Sequence, residues 1–244
     1  MGREESWNHK ISVIIPAWNE EATVGDIIYD LNAQVEQFPL TIIVVDDASQ
    51  DHTAKTVRGC KAEVISLARH MGAWGAIQTG FRYALQKGSK VLVTMDADGQ
   101  HDPACLSSLI EPILNRNADV SIGSFPERGS TGRRISWRLF RKMSKLPLLD
   151  LTSGLKAYNR RSASLLLHPQ IHLLEYQDLG TLLYLKKAGM EIVEVPVHMQ
   201  ARKYGHSRIF NNWKSVIKYL IFSTLLCVSK YPIASDKAVR SELP

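Results

Sequence analysis

The chain has 244 residues, 45% of them hydrophobic and 22% charged, enough to bury one good core and too apolar for a disordered polymer. Its net charge is +6, and its cysteines, Cys60, Cys105 and Cys227, lie far apart with neither CxxC spacing nor an even count. This argues against a disulfide framework or a cysteine zinc site and for a reducing compartment. The polar stretch Met1–Ser6 predicts no signal peptide.

In chain order, the first half alternates strand and helix patterns. Strands are expected at Ile11–Ile15, Thr41–Val45, Glu63–Leu67, Val91–Met95 and Val120–Ile122, mostly β-branched runs of the kind buried in a parallel sheet. Helices are expected at Glu20–Val35, Thr53–Arg58, Ala73–Gln86 and Pro103–Asn115, with Asn19 and Asp51 as N-caps and Pro103 in a first turn. In the third helix Ala76, Ile77, Gly80, Phe81, Ala84 and Leu85 form one apolar stripe. This order predicts a doubly wound α/β sheet, mainly parallel and flanked by helices, whose ligands bind beyond the carboxyl ends of the strands. Beyond a loop at Ser124–Gly132, a basic amphipathic helix is expected from Arg134 to Lys145, a helix over Leu179–Lys187 and a strand over Ile192–Val197. The division expected is a catalytic domain over 1–210 and an apolar helix with a polar tail over 211–244. The apolar run Tyr219–Val228 is too short to span a bilayer, which takes roughly 20 residues.

Chemistry concentrates at predicted strand ends. Asp96-Ala97-Asp98-Gly99-Gln100-His101 follows Val91–Met95 directly, so two carboxylates and an amide converge at one sheet edge. Asp96, Asp98 and Gln100 suit a hard divalent cation, Mg²⁺ or Mn²⁺, that also grips phosphate. His101 is expected to be a solvent-facing loop residue rather than a ligand. The basic residues are clustered: seven from Arg128 to Lys145 and five from Arg202 to Lys218, with no acid in either stretch. Such clusters fit polyanionic partners. A Gly-rich phosphate loop after the first strand is missing, as is GxGxxG, which argues against nucleotidyltransferase and dehydrogenase chemistry.

Five blocks together resemble family 2 glycosyltransferases of GT-A fold: Ser12–Glu21, Val44–Thr53, Asp96–His101, Glu194–Val197 and Arg202–Arg208. Their order and spacing are similar to the branch typified by dolichol-phosphate mannose synthase and bacterial polyprenyl-phosphate glycosyltransferases. The resemblance implies inverting transfer of a hexose from a nucleotide-diphosphate sugar (GDP- or UDP-hexose) to a polyprenyl phosphate, dolichyl or undecaprenyl. It implies a nucleobase carboxylate at Asp47, a base and ribose pocket at Pro16, Trp18, Glu20 and Val45, and the metal site at Asp96, Asp98 and Gln100. Arg202, with Arg128, Arg133 and Arg134, then offsets the charge of diphosphate and acceptor beside the catalytic Asp98.

Departures from the pattern carry information too. Gly180 stands where many relatives place a Glu, which favours an acceptor that needs no strong base; the alternative is a saccharide or protein hydroxyl. His70 replaces the usual Asn, and Trp74 is bulkier than usual, either reshaping the sugar pocket or packing into its helix. A polyprenyl tail stays in the bilayer, so peripheral binding at the cytoplasmic face of an anionic membrane is expected, with no nucleic-acid partner. The contacts anticipated are the Arg134–Lys145 helix, through Ile135, Trp137, Leu139, Phe140 and Met143, and the C-terminal interfacial helix.

Overall fold

The computed structural model describes residues 10–34, 39–128, 131–144, 146–169, 171, 178–200, 221 and 224, leaving aside the side chains of 128 and 131–136. The elements are β1 (Ile11–Ala17), α1 (Val24–Gln34), β2 (Leu40–Asp46), α2 (Thr53–Arg58), β3 (Glu63–Ser66), α3 (Gly72–Gln86), β4 (Val91–Thr94), α4 (Leu106–Leu114), β5 (Val120–Ser124), α5 (Thr131–Ser144), β6 (Lys156–Asn159), α6 (Arg160–Leu165), α7 (Leu179–Lys187) and β7 (Ile192–Pro196).

The strands form one sheet in the order β3-β2-β1-β4-β6-β5-β7. β6 pairs antiparallel with both neighbours, and all other pairings are parallel. Along β1 the buried residues alternate faces: Ile14 joins the core under α3, α5, α6 and α7, while Val13 and Ile15 join the core under α1, α2 and α4. Both faces are covered, which explains why β1, β2 and β4 read as unbroken apolar runs. The whole stripe expected on α3 is buried, and Trp74 packs into the same core with its indole N–H donating to the Ile171 carbonyl at 3.3 Å.

Several expectations are corrected. β6 and α6 carried no prediction; β6 is a four-residue strand, KAYN, without a β-branched run. α1 begins at Val24 rather than Glu20, and Asn19 is not its cap. Instead Asn19 takes a left-handed backbone (φ 53°), and its side-chain oxygen accepts from Gln50 N–H at 2.8 Å. Asp51 does take up the Thr53 N–H, from one position before the formal cap His52. The basic helix starts at Thr131, and its Trp137 and Phe140 are buried in the core, so the interfacial face expected there is narrower. Apart from Ile221 and Thr224, both helical, the tail expected over 211–244 lies outside the described residues.

Candidate active site

The carboxyl ends of β1, β2, β4, β5 and β7 and the amino end of β6 share one sheet edge, and the strand order reverses between β1 and β4. A crevice at such a switch point is the usual ligand site of an open α/β sheet. Two loops are stitched across it: Thr23 Oγ1 donates to the Ala97 carbonyl at 2.7 Å, tying the turn after β1 to the carboxylate loop after β4.

Asp46 and Asp47 end β2 and do different work. Asp46 Oδ1 accepts from Ser49 N–H and closes its own turn. Asp47 is 2% exposed, and its Oδ1 accepts from Met71 N–H at 2.6 Å, fixing the approach to α3. Its Oδ2 has no hydrogen-bond partner among the described residues. His70 Nδ1 lies 2.9 Å from that oxygen, off the line of a hydrogen bond, and the His70 ring stacks at 4.4 Å on Trp18, which is 38% exposed. A buried carboxylate oxygen that contacts His70 but makes no hydrogen bond, beside an aromatic platform, can accept from a nucleobase N–H while the ring face stacks.

Pro16 pairs with Val45 across β1 and β2. Val45, however, points its fully buried side chain under α3, so among the expected nucleotide-site residues it has only main-chain atoms to offer. Glu20 donates its N–H to Thr53 Oγ1 at 2.8 Å, fastening β1's loop to α2. Asp51 sits in the same junction. Burial pushes its carboxyl up, but hydrogen bonds from the Thr53 hydroxyl and the Thr53 and Glu21 N–H groups prevail and hold it below its ordinary value.

Asp96, Asp98 and Gln100 lie together in the turn after β4. Asp98 Oδ1 accepts from Gln100 N–H at 3.1 Å, and Gly99 supplies a positive φ of 72°. Against this turn lies Gly154: a Cβ there would run into the Asp96 carboxylate itself. Gly154 is held from behind. Glu194 Oε1 accepts from Leu149 and Asp150 N–H at 2.7 and 2.8 Å, Asp150 Oδ1 accepts from Thr152 N–H, and Thr94 Oγ1 donates to the Gly154 carbonyl. Of these residues only Glu194 lies in a sequence block named above; for Gly154 the local signal is the Ser153-Gly154 pair, and nothing local marks Thr23.

Among the described residues no three His, Cys, Asp or Glu side chains form a cage for an ion. The donor set of two carboxylates and an amide fits a hard cation that completes its shell with diphosphate oxygens. His101, expected in solvent, is buried at 5% exposure. Cys105, in the helical turn after it, is no candidate nucleophile or ligand, because burial and then the Asp102 charge push its thiol up to about 12. Under the sheet edge, burial and then the Asp178 charge push the Tyr158 hydroxyl far above its ordinary range. A cleft of about 330 Å³ lined by Thr23, Asp26, Asp30, His101 and Asp102 adjoins the carboxylate turn but holds neither Asp47 nor Asp96. The main chain places Arg128 at the end of a helical turn and Arg133 and Arg134 in the first turn of α5; their side chains, and all of Arg202, lie outside the described residues.

This architecture is that of GT-A glycosyltransferases. The chain is similar to glucosyl-3-phosphoglycerate synthase from Mycobacterium tuberculosis, solved with Mn²⁺, UDP and phosphoglyceric acid, at a TM-score of 0.71 and 21% identity, over 94% of this chain and 81% of that one. Residues 12–168 match Glycosyl transferase family 2, and the chain belongs to that family; it is a nucleotide-sugar-dependent glycosyltransferase. Relatives include undecaprenyl-phosphate mannosyltransferase of Micrococcus luteus, 32% identical over 82% of this chain and 87% of that one. Polyprenol monophosphomannose synthase of Mycolicibacterium smegmatis is 30% identical, over 81% of this chain and 80% of that one.

Proposed function

We propose that the protein transfers a hexose, with inversion, from a nucleotide-diphosphate sugar to a polyprenyl phosphate at the cytoplasmic face of a membrane, with residues up to about 210 forming the catalytic domain. The observation that supports this best is the meeting at one sheet edge of Asp47, whose buried Oδ2 makes no hydrogen bond, and the Asp96, Asp98 and Gln100 turn. Asp47 and Trp18 would hold the base, and Pro16 and Glu20 the ribose. Asp96, Asp98 and Gln100 would hold Mg²⁺ or Mn²⁺ against the diphosphate. When bound, the cation supplies Lewis-acid stabilisation of the departing nucleoside diphosphate. Arg128, Arg133, Arg134 and Arg202 are assigned the remaining phosphate charge.

A phosphate acceptor is supported by the start of α7: its first turn carries no acidic residue and Gly180 occupies it, while the neighbouring carboxylate, Asp178, is its buried N-cap residue. A phosphate monoester, with a second pKa of about 6, is already anionic at neutral pH and needs no strong base. The named substrates of the relatives are polyprenyl phosphates, which agrees. Among the described residues no helix is long and apolar enough to cross a membrane, so contact with the lipid is assigned to the surface.

The test is a panel of radiolabelled UDP- and GDP-hexoses incubated with polyprenyl phosphate and Mn²⁺ or Mg²⁺, scored by organic extraction. One donor should label the lipid phase, chelator should abolish the label, and Asp98→Asn should lower turnover about a hundredfold or more while the protein stays folded. Label that enters only a water-soluble saccharide or protein would overturn the lipid acceptor, and full activity of Asp98→Asn the metal assignment.

A further inference from the structure

His101 is a buried imidazole that takes no part in the hydrogen bonding of the site. Its side chain is 1% exposed, and among the described residues neither ring nitrogen has a hydrogen-bond partner. Leaving polar nitrogens buried and unpaired costs roughly 1–3 kcal/mol each, so a ring kept in this state points to a partner engaged in another state of the site. Among the described residues an ion-pair contact is formed with Asp96: Nε2 lies 3.6 Å from its Oδ2, just beyond hydrogen-bond reach.

The ring is also firmly placed. The His101 main chain forms an antiparallel bridge with Met199, and next to it Gln200 N–H donates to the Gln100 carbonyl at 2.8 Å. On the following side Asp102 caps the turn at Pro103–Cys105 through Ala104 N–H. The Asp96 carboxylate therefore sits between two fixed walls, the bare backbone of Gly154 and the edge of the His101 ring.

We infer that His101 is a positioning residue for the cation: with its proton on Nε2 it donates to Asp96 Oδ2 and turns the other carboxylate oxygen toward the ion. This rests on the metal-dependent reading of the site. Closing the gap takes roughly half an ångström, a shift a carboxylate makes by rotating its own side chain. Imidazole and carboxylate pairs of this kind commonly fix the orientation of a metal ligand, and losing the outer partner typically weakens metal binding about 10–100-fold.

The experiment titrates Mn²⁺ into the full chain with saturating UDP, and separately GDP, reading free Mn²⁺ by electron paramagnetic resonance. Three variants divide the roles: His101→Phe keeps the ring volume without a donor, His101→Gln carries an amide nitrogen near the Nε2 position, and His101→Asn carries one near Nδ1. The expected result is Mn²⁺ affinity lowered about 10–100-fold in His101→Phe and His101→Asn, and His101→Gln within a few-fold of wild type. Nucleotide affinity without metal should be unchanged in all four proteins. A purely structural role would lower melting temperature and leave Mn²⁺ affinity of the folded protein intact, which would overturn the inference. So would ¹⁴N coupling to Mn²⁺ in wild type that disappears in His101→Gln, because the ring would then be a direct ligand. Wild type that binds no Mn²⁺ with either nucleotide would instead overturn the metal reading on which the inference rests.

Discussion

At Gly154 the missing side chain is what leaves Asp96 its place, since a Cβ would meet both carboxylate oxygens. Gly154→Ala must displace the carboxylate, the backbone of the turn, or both. Overpacking of this kind costs about 1–3 kcal/mol of stability, whereas misplacing a reacting group by about an ångström costs about a hundredfold in rate. Turnover should thus fall about two orders of magnitude in a protein that still folds. Turnover and melting temperature measured on one preparation decide it: wild-type turnover would mean that Asp96 is not held by this contact. The division of labour between neighbours also emerges only in three dimensions. Asp46 and Asp47 look alike in sequence, yet one closes a turn and the other keeps a buried oxygen against His70 without a hydrogen bond. His101, expected in solvent from its loop setting, is buried, and its main chain is bridged by Met199 from far along the chain.

Where elements pack, α3 lies close on β1 because Gly80 faces the sheet. A Cβ at Gly80 would collide with Ile14 Cγ2 and approach Val45 Cγ2 at 3.3 Å. Ala would favour the helix by about 1 kcal/mol, but the clash is with a stiff β-branched side chain fully buried in the core. Overpacking of about 1–3 kcal/mol should win, so Gly80→Ala is expected to lower stability by a net 1–2 kcal/mol or so in a urea titration. A gain in stability would show that the helix can slide outward. Periodicity made α3 and the β-branched strands readable in advance, because both faces of the sheet are covered and the apolar signal runs unbroken. It could not show β6. Lys156 and Tyr158 are fully buried there, and nothing local marks Lys156 for the interior; tertiary pairing with Thr94 and Ile122 makes the strand. Four of the five motif blocks fall at the site edge of the sheet, and Arg202–Arg208 lies outside the described residues; the contacts that Glu194, Thr23 and Gly154 make there join positions far apart in the chain, which no local pattern encodes.

For the molecule as a whole, the question is how the chain, with no membrane-crossing helix among the described residues, would meet the lipid acceptor proposed for it. α5 supplies a surface suited to it. Its Trp137 and Phe140 anchor the helix to the core, which leaves Leu139 51% exposed between exposed Arg138 and Lys142, and Leu149 beyond the helix is 50% exposed. Each Lys or Arg near an anionic surface contributes about 1 kcal/mol, and the two exposed leucines add apolar contact. The protein should therefore float with phosphatidylserine vesicles at low salt and be released as the Debye length shrinks from about 10 Å at 0.1 M to about 3 Å at 1 M. Replacing Arg138 and Lys142 together by Ser removes about 2 kcal/mol, a drop in partitioning of roughly 30-fold, without touching the carboxylates at the sheet edge. Transfer to a short, water-soluble isoprenyl phosphate should then be unaltered, while transfer to a long-chain acceptor in vesicles falls. If the double variant floats as wild type does, α5 is not the docking face, and the basic stretch from Arg202 to Lys218 must carry the attraction.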